Sequence, residues 1–186
     1  WLFRGDGQDL GGPTGTGKEI RKFLTEQDPI EIHLADPAHV QYDGELPLYD
    51  YQRPAVDAMK EQSCGILQAP CGSGKTQMGI ALAAELCGKT LWVTHTQDLL
   101  NQSYERAAQY FPKSTLGKIT AGKVMIGSHM TFATAQTLCK LDLSRYEYVW
   151  DTVIVDECHR LAGTPTQVTM FYKILNSLAA RHKYGL

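Results

Sequence analysis

The chain has 186 residues, 20% of them charged, with a formal net charge of −2, which fits one globular domain with room for a sound core. That near balance excludes a global basic field, so any nucleic-acid surface must be local. No apolar run reaches the length of a membrane span, no signal-peptide pattern opens the chain, and five cysteines without a Cys-x-x-Cys pair argue for free thiols in a reducing, cytoplasmic compartment and against a zinc site.

Residues 1–45 are loop-rich, with Asp28-Pro29, Asp36-Pro37 and one predicted strand at Ile30–Leu34. They are expected to form an accessory segment or the remnant of an upstream region. Within them Gly12-Pro-Thr-Gly-Thr-Gly-Lys18-Glu19 imitates a phosphate loop, but no apolar strand precedes it, and Glu19 puts a negative charge where phosphate would lie. It reads as a surface loop. From residue 46 to 186 apolar runs alternate with helical patterns. Strands are predicted at Gly65–Ala69, Thr90–Thr94, Val124–Ile126, Thr131–Thr134 and Thr152–Asp156, and helices at Tyr51–Gln62, Lys75–Leu86, Gln97–Tyr110 and Thr166–Arg181. The alternation predicts an α/β fold, a doubly wound and mainly parallel sheet with helices on both faces. In such sheets ligands gather at the carboxyl ends of the strands.

Two of those strand ends carry chemistry. Gly65-Ile66-Leu67-Gln68-Ala69, an apolar run suited to a buried parallel strand, leads into Pro70-Cys71-Gly72-Ser73-Gly74-Lys75-Thr76 and then a helix. Strand, glycine loop and helix bring backbone N–H groups and the positive end of a helix dipole onto phosphates. Gly72 and Gly74 permit backbone conformations that a Cβ hinders. In this pattern Lys75 meets the β- and γ-phosphates, and the Thr76 hydroxyl ligates magnesium. Downstream, the apolar run Thr152-Val-Ile-Val155 ends in Asp156-Glu157-Cys158-His159, two adjacent carboxylates placed to hold a metal and activate a water. Cys71 and Cys158 occupy variable slots of the two motifs.

Several further stretches keep the order of a known family. Leu48-Tyr-Asp-Tyr-Gln52 precedes the phosphate loop, Leu91-Trp-Val-Thr-His-Thr96-Gln97-Asp-Leu-Leu-Asn-Gln102 follows it, and Thr131-Phe-Ala-Thr134-Ala-Gln136-Thr137 comes next, before the Asp-Glu-x-His box. Over Leu46–Leu186 the chain resembles the first RecA-like lobe of superfamily 2 helicases, in the branch of restriction-enzyme motors, excision-repair helicases and phage recombination helicases. Tyr184-Gly-Leu186 resembles the approach to that family's motif III. The resemblance implies an ATP-dependent helicase or translocase with Mg2+ and a second RecA-like lobe that supplies an arginine. It implies that Gln52 reads the adenine edge, Pro70–Thr76 cradle the phosphates, Asp156 holds magnesium, Glu157 deprotonates the attacking water, and His159 senses the γ-phosphate. It also implies that Thr96, Gln97, Thr134 and Gln136 meet the phosphates of one nucleic-acid strand, DNA in preference to RNA. The same residues admit a second reading, a nucleotide-binding regulatory or scaffolding module without turnover.

Overall fold

The computed structural model describes residues 40–42, 46–159 and 165–186; the predicted strand at Ile30–Leu34 and the Gly12–Glu19 stretch lie outside them. The elements in chain order are α1 (Arg53–Lys60), β1 (Cys64–Ile66), α2 (Lys75–Glu85), β2 (Thr90–Thr94) and α3 (Gln97–Ala107). They continue with β3 (Leu116–Thr120), β4 (Lys123–Met125), β5 (Met130–Thr134) and α4 (Ala135–Leu138). The set closes with β6 (Thr152–Val155), α5 (Pro165–Ser177) and β7 (His182–Gly185).

The seven strands of the described residues form one sheet in the order β1-β7-β6-β2-β5-β3-β4. Only the β3–β4 pair is antiparallel. Side chains alternate across it. Trp92, Phe132, Ile154 and Tyr184 point to one face, where they pack with Val56, Ile80, Leu82 and Leu100 from α1 to α3. Leu91, Val93, Ala133, Val153 and Val155 point to the other, against Leu138 of α4 and Ile174 of α5. The central strands β2, β5 and β6 are buried along their whole length, as a sheet covered on both faces requires. The doubly wound architecture predicted from the alternation is the one observed.

The structure corrects three element predictions and adds β3 and α4, which the sequence did not predict. The run Gly65–Ala69, expected as a buried strand, is a shorter strand at Cys64–Ile66 on the sheet's edge, with Ile66 74% exposed. Among the described residues its one neighbour is β7, and the chain leaves the ladder after the Leu67 N–H donates to the Gly185 carbonyl. The helix predicted to reach Arg181 stops at Ser177, and His182-Lys-Tyr-Gly185 becomes β7, inserted between β1 and β6. Its polar residues gave no strand period. Lys183 is tolerated there because its Nζ donates to the Leu175 carbonyl at 2.6 Å, while burial pushes its pKa down to about 8. The strand Leu116–Thr120 carries no clean alternation because Gly117 interrupts it; a Cβ there would strike the backbone of Gly127 and Met125, the close approach that a glycine in a strand often marks. The predicted Val124–Ile126 strand is shifted to Lys123–Met125 and runs antiparallel.

Candidate active site

Both sequence motifs sit at carboxyl ends of strands in the same sheet. The phosphate-loop sequence leaves β1 and enters α2, whose N-cap is Gly74 at φ 78° and ψ 35°. Gly72 is also left-handed, at φ 79°, so both glycines adopt the backbone that the sequence required of them. The first-turn N–H groups of α2 have no intrahelical acceptors and carry the positive end of the helix dipole. Lys75 Nζ lies 3.3 Å from the Ala69 carbonyl, folded back along its own loop.

Gln52 ties the preceding segment to this loop. It is 2% exposed, its Nε2 donates to the Ser73 carbonyl at 2.8 Å, and its Oε1 accepts from the Tyr49 N–H at 2.9 Å. A Cβ on Gly74 would lie 2.5 Å from Gln52 Nε2, so glycine is required there for room as well as for φ. Tyr51 Oη donates to the same Ser73 carbonyl at 3.2 Å, and the exposed rings of Tyr49 and Tyr51 stack 5.7 Å apart. Beside them a cleft of about 530 Å³ opens between Tyr51, Ala55, Leu67, Pro70, Gly72 and Met78. It is within the size range of small-molecule sites.

Two strands away, β6 delivers the acidic pair. Asp156 is 5% exposed. Its Oδ2 accepts from Ser103 Oγ at 3.1 Å and its Oδ1 from the Glu157 N–H at 3.0 Å. Burial raises its pKa above the usual carboxylate value, against the opposing pull of the Ser103 hydrogen bond. Glu157 has φ 55°, a left-handed backbone that is uncommon for a residue with a Cβ and clusters at functional sites. Its Oε2 is 3.1 Å from His159 Nδ1. Cys158 N–H donates to the Leu186 carbonyl and Leu186 N–H to the Val155 carbonyl, so the turn after β6 is laced to the residues after β7. The Cys158 thiol is buried and its pKa is pushed up by that burial, which makes it a poor nucleophile; Cys71 is exposed in the phosphate loop.

Ser103 escaped sequence reading. It lies on the buried stripe of α3 with Leu100 and Ala107, and a polar residue in such a stripe demands a partner. That was the available signal. The four nucleic-acid candidates stand at the carboxyl ends of β2 and β5. Thr96 is exposed and caps α3 by accepting from the Leu99 N–H at 3.3 Å; Gln97 follows it, exposed. Thr134 is 5% exposed, and its Oγ1 accepts from the Thr137 N–H, capping α4, while Gln136 is exposed. Thr134 is buried and Gln136 exposed, so Gln136 is the more outward group of that pair.

A phosphate loop and an Asp-Glu-x-His turn, carried on a doubly wound sheet, define the first RecA-like lobe of a superfamily 2 helicase. Within that class the chain belongs to the family of the type III restriction enzyme res subunit, which matches residues 45–186. It is 28% identical over 167 residues to a putative DNA 3'-5' helicase Rad25 of Halobacterium salinarum, covering 86% of this chain and 26% of the relative. It is 26% identical over 162 residues to the DNA 3'-5' helicase XPB of Mycobacterium tuberculosis, covering 82% and 28%. The chain therefore spans about a quarter of the length of these curated relatives. The UvsW helicase of bacteriophage T4 has the same fold, with a TM-score of 0.64 at 22% identity over 94% of this chain and 70% of that one.

Proposed function

We propose that this chain is the ATP-binding lobe of an ATP-dependent helicase or translocase that acts on DNA, with residues 46–186 as the lobe and 1–45 as an accessory segment. The observation that carries the reading is the phosphate loop itself: left-handed Gly72 and Gly74 opening the N-terminus of α2, with Lys75 in the loop. Backbone N–H groups, the helix dipole and Lys75 together fit a triphosphate. The Thr76 hydroxyl and the Asp156 carboxylate fit magnesium, a hard cation that takes oxygen ligands. Bound there, magnesium would neutralise phosphate charge.

The remaining groups divide the work. Glu157 accepts a proton from the attacking water, and His159, whose Nδ1 lies 3.1 Å from Glu157 Oε2, orients its carboxylate. Gln52 joins the segment before the loop to the Ser73 carbonyl, so a base seated near Tyr49 and Tyr51 would be sensed by the loop. The nucleic-acid reading rests on the names of the relatives, DNA 3'-5' helicases, and on Thr96, Gln97 and Gln136, exposed at one end of the sheet. A scaffold without turnover has no use for Lys75, Thr76, Asp156 and Glu157 together. An arginine from a second lobe completes the cleft.

The test is titration with a fluorescent ATP analogue in magnesium. Lys75→Ala weakens binding at least tenfold and leaves the fold intact, while Lys18→Ala in the imitation loop changes nothing. Unchanged affinity in Lys75→Ala would sink the assignment.

A further inference from the structure

The sheet order places β3 and β4 beyond β5, and this continues the row of strand ends that bears the nucleic-acid candidates. Thr94 is opposite Thr134 in the β2–β5 register, and Ala133 is opposite Ile119 in the β5–β3 register. The carboxyl ends of β2, β5 and β3 are therefore level, at the strand spacing of about 4.8 Å. Thr120 in turn is opposite Lys123, across the hairpin into β4. Lys123 is exposed at that same end of the sheet.

Lys118, two residues before the end of β3, is held in an unusual way. Its Nζ sits 3.9 Å from the centre of the Tyr104 ring and 3.1 Å from Asn101 Oδ1, both on α3. Asn101 Oδ1 also lies 3.5 Å from Gln97 Nε2. A string of polar groups thus runs from Gln97 through Asn101 to Lys118. None of the ion pairs among the described residues includes Lys118 or Lys123. The Lys118 ammonium, half-buried and with no carboxylate in ion-pair range among the described residues, is a cation to which a nucleic-acid backbone offers a fitting anion.

We infer that Lys118 and Lys123 are phosphate contacts that extend the DNA track from β5 onto the β3–β4 hairpin, with Asn101 and Tyr104 positioning Lys118. This rests on the proposed nucleic-acid function. It goes beyond it by assigning binding to a hairpin outside the sequence motifs. The contacts are charge to charge and carry no base preference.

The experiment measures the affinity of residues 1–186 for a labelled oligothymidylate by fluorescence anisotropy across a salt series. Lys118→Met keeps the stem over Tyr104 and removes the charge. It should make the slope of log affinity against log salt shallower by about 0.7, the value per phosphate contact on a single strand. The double variant with Lys123→Met should lose about 1.4. Lys118→Arg should retain the parent slope, as should Lys60→Met, whose ammonium is paired with Glu85. As a second readout that needs no variant, lysine acylation of the parent chain should be suppressed at Lys118 and Lys123 by the oligonucleotide and not by inorganic phosphate. If Lys118→Met binds with the parent slope while Gln97→Ala weakens binding, the inference is wrong and the proposed function stands. If Lys118→Met lowers the melting temperature alone, or inorganic phosphate protects as well as DNA, Lys118 is a clamp between α3 and β3 or a free-anion site. If the parent shows no salt-dependent binding, both readings fall together.

Discussion

At Asp156 the fold holds a carboxylate in a place where burial raises its pKa, although the Ser103 hydroxyl and the Glu157 N–H both bond its oxygens. A carboxyl with a raised folded pKa binds its proton more tightly folded than unfolded. The folded state is therefore penalised as the pH rises through the unfolded value of about 4 and the folded value above it, and the penalty stays in full at neutral pH. Asp156→Asn removes it, and an amide can still accept from one partner and donate to the Ser103 oxygen. The variant should raise the melting temperature at neutral pH, the gain should shrink as the pH falls toward about 4, and magnesium-dependent nucleotide binding should be lost. A melting temperature lowered at every pH would show that the carboxylate's hydrogen bonds outweigh its desolvation. Glu157→Gln divides the roles differently. It should keep nucleotide binding and abolish turnover, since an amide cannot accept the water's proton; single-turnover hydrolysis at the parent rate would move that role elsewhere.

At the scale of elements, α2 has to serve both the loop before it and the sheet beneath it. Gly79 lies in its middle, where an added Cβ would stand 2.5 Å from Leu186 Cδ1 and 2.8 Å from Trp92 Cη2. In an exposed helix Gly→Ala gains about 1 kcal/mol, but overpacking a core costs about 1–3 kcal/mol. Gly79→Ala should therefore be destabilising by about 1 kcal/mol, seen as a lower urea midpoint with an unchanged m-value. An equal or higher midpoint would mean that Leu186 gives way. The elements read correctly from sequence are those whose burial writes a period or an unbroken apolar run: Thr90–Thr94 matches β2 residue for residue, and Lys75–Glu85 of α2 was predicted one residue too long. Those misread are governed by neighbours that sequence does not display. Ile66 and its strand are edge residues because of the strand order, and Lys183 becomes strand because β1 and β6 lie on either side of it. The site divides along the same line. Motif residues were legible because their spacing encodes a local turn, whereas Ser103 reaches Asp156 from 53 positions away.

For the molecule as a whole, the proposed function makes the phosphate loop and the acidic pair one wall of a catalytic cleft. In related phosphoryl-transfer systems an arginine on the opposing wall is worth roughly 10³ to 10⁵ in rate. Residues 1–186 alone should therefore hydrolyse ATP slowly and unwind no duplex, and fusion to a second lobe carrying that arginine should raise steady-state turnover by a comparable factor. Fast, DNA-stimulated turnover by the short chain that persists on dilution would overturn the two-lobe reading.

The edge strand that launches the phosphate loop has a consequence for how the protein comes into being. Among the described residues β1 pairs only with β7, Cys64 opposite Lys183, and Tyr184 Oη donates to the Gln62 carbonyl across 122 positions of sequence. Pairings so distant in the chain close large loops and form slowly. During synthesis and refolding β2, β5 and β3 can assemble from nearer segments, while β1, the strand that launches the glycine loop, stays unpaired until β7 has docked beside β6. Competence to bind nucleotide should thus appear after most of the helical and sheet signal has recovered, and a ligand that holds the loop would act late, as a latch on the final strand.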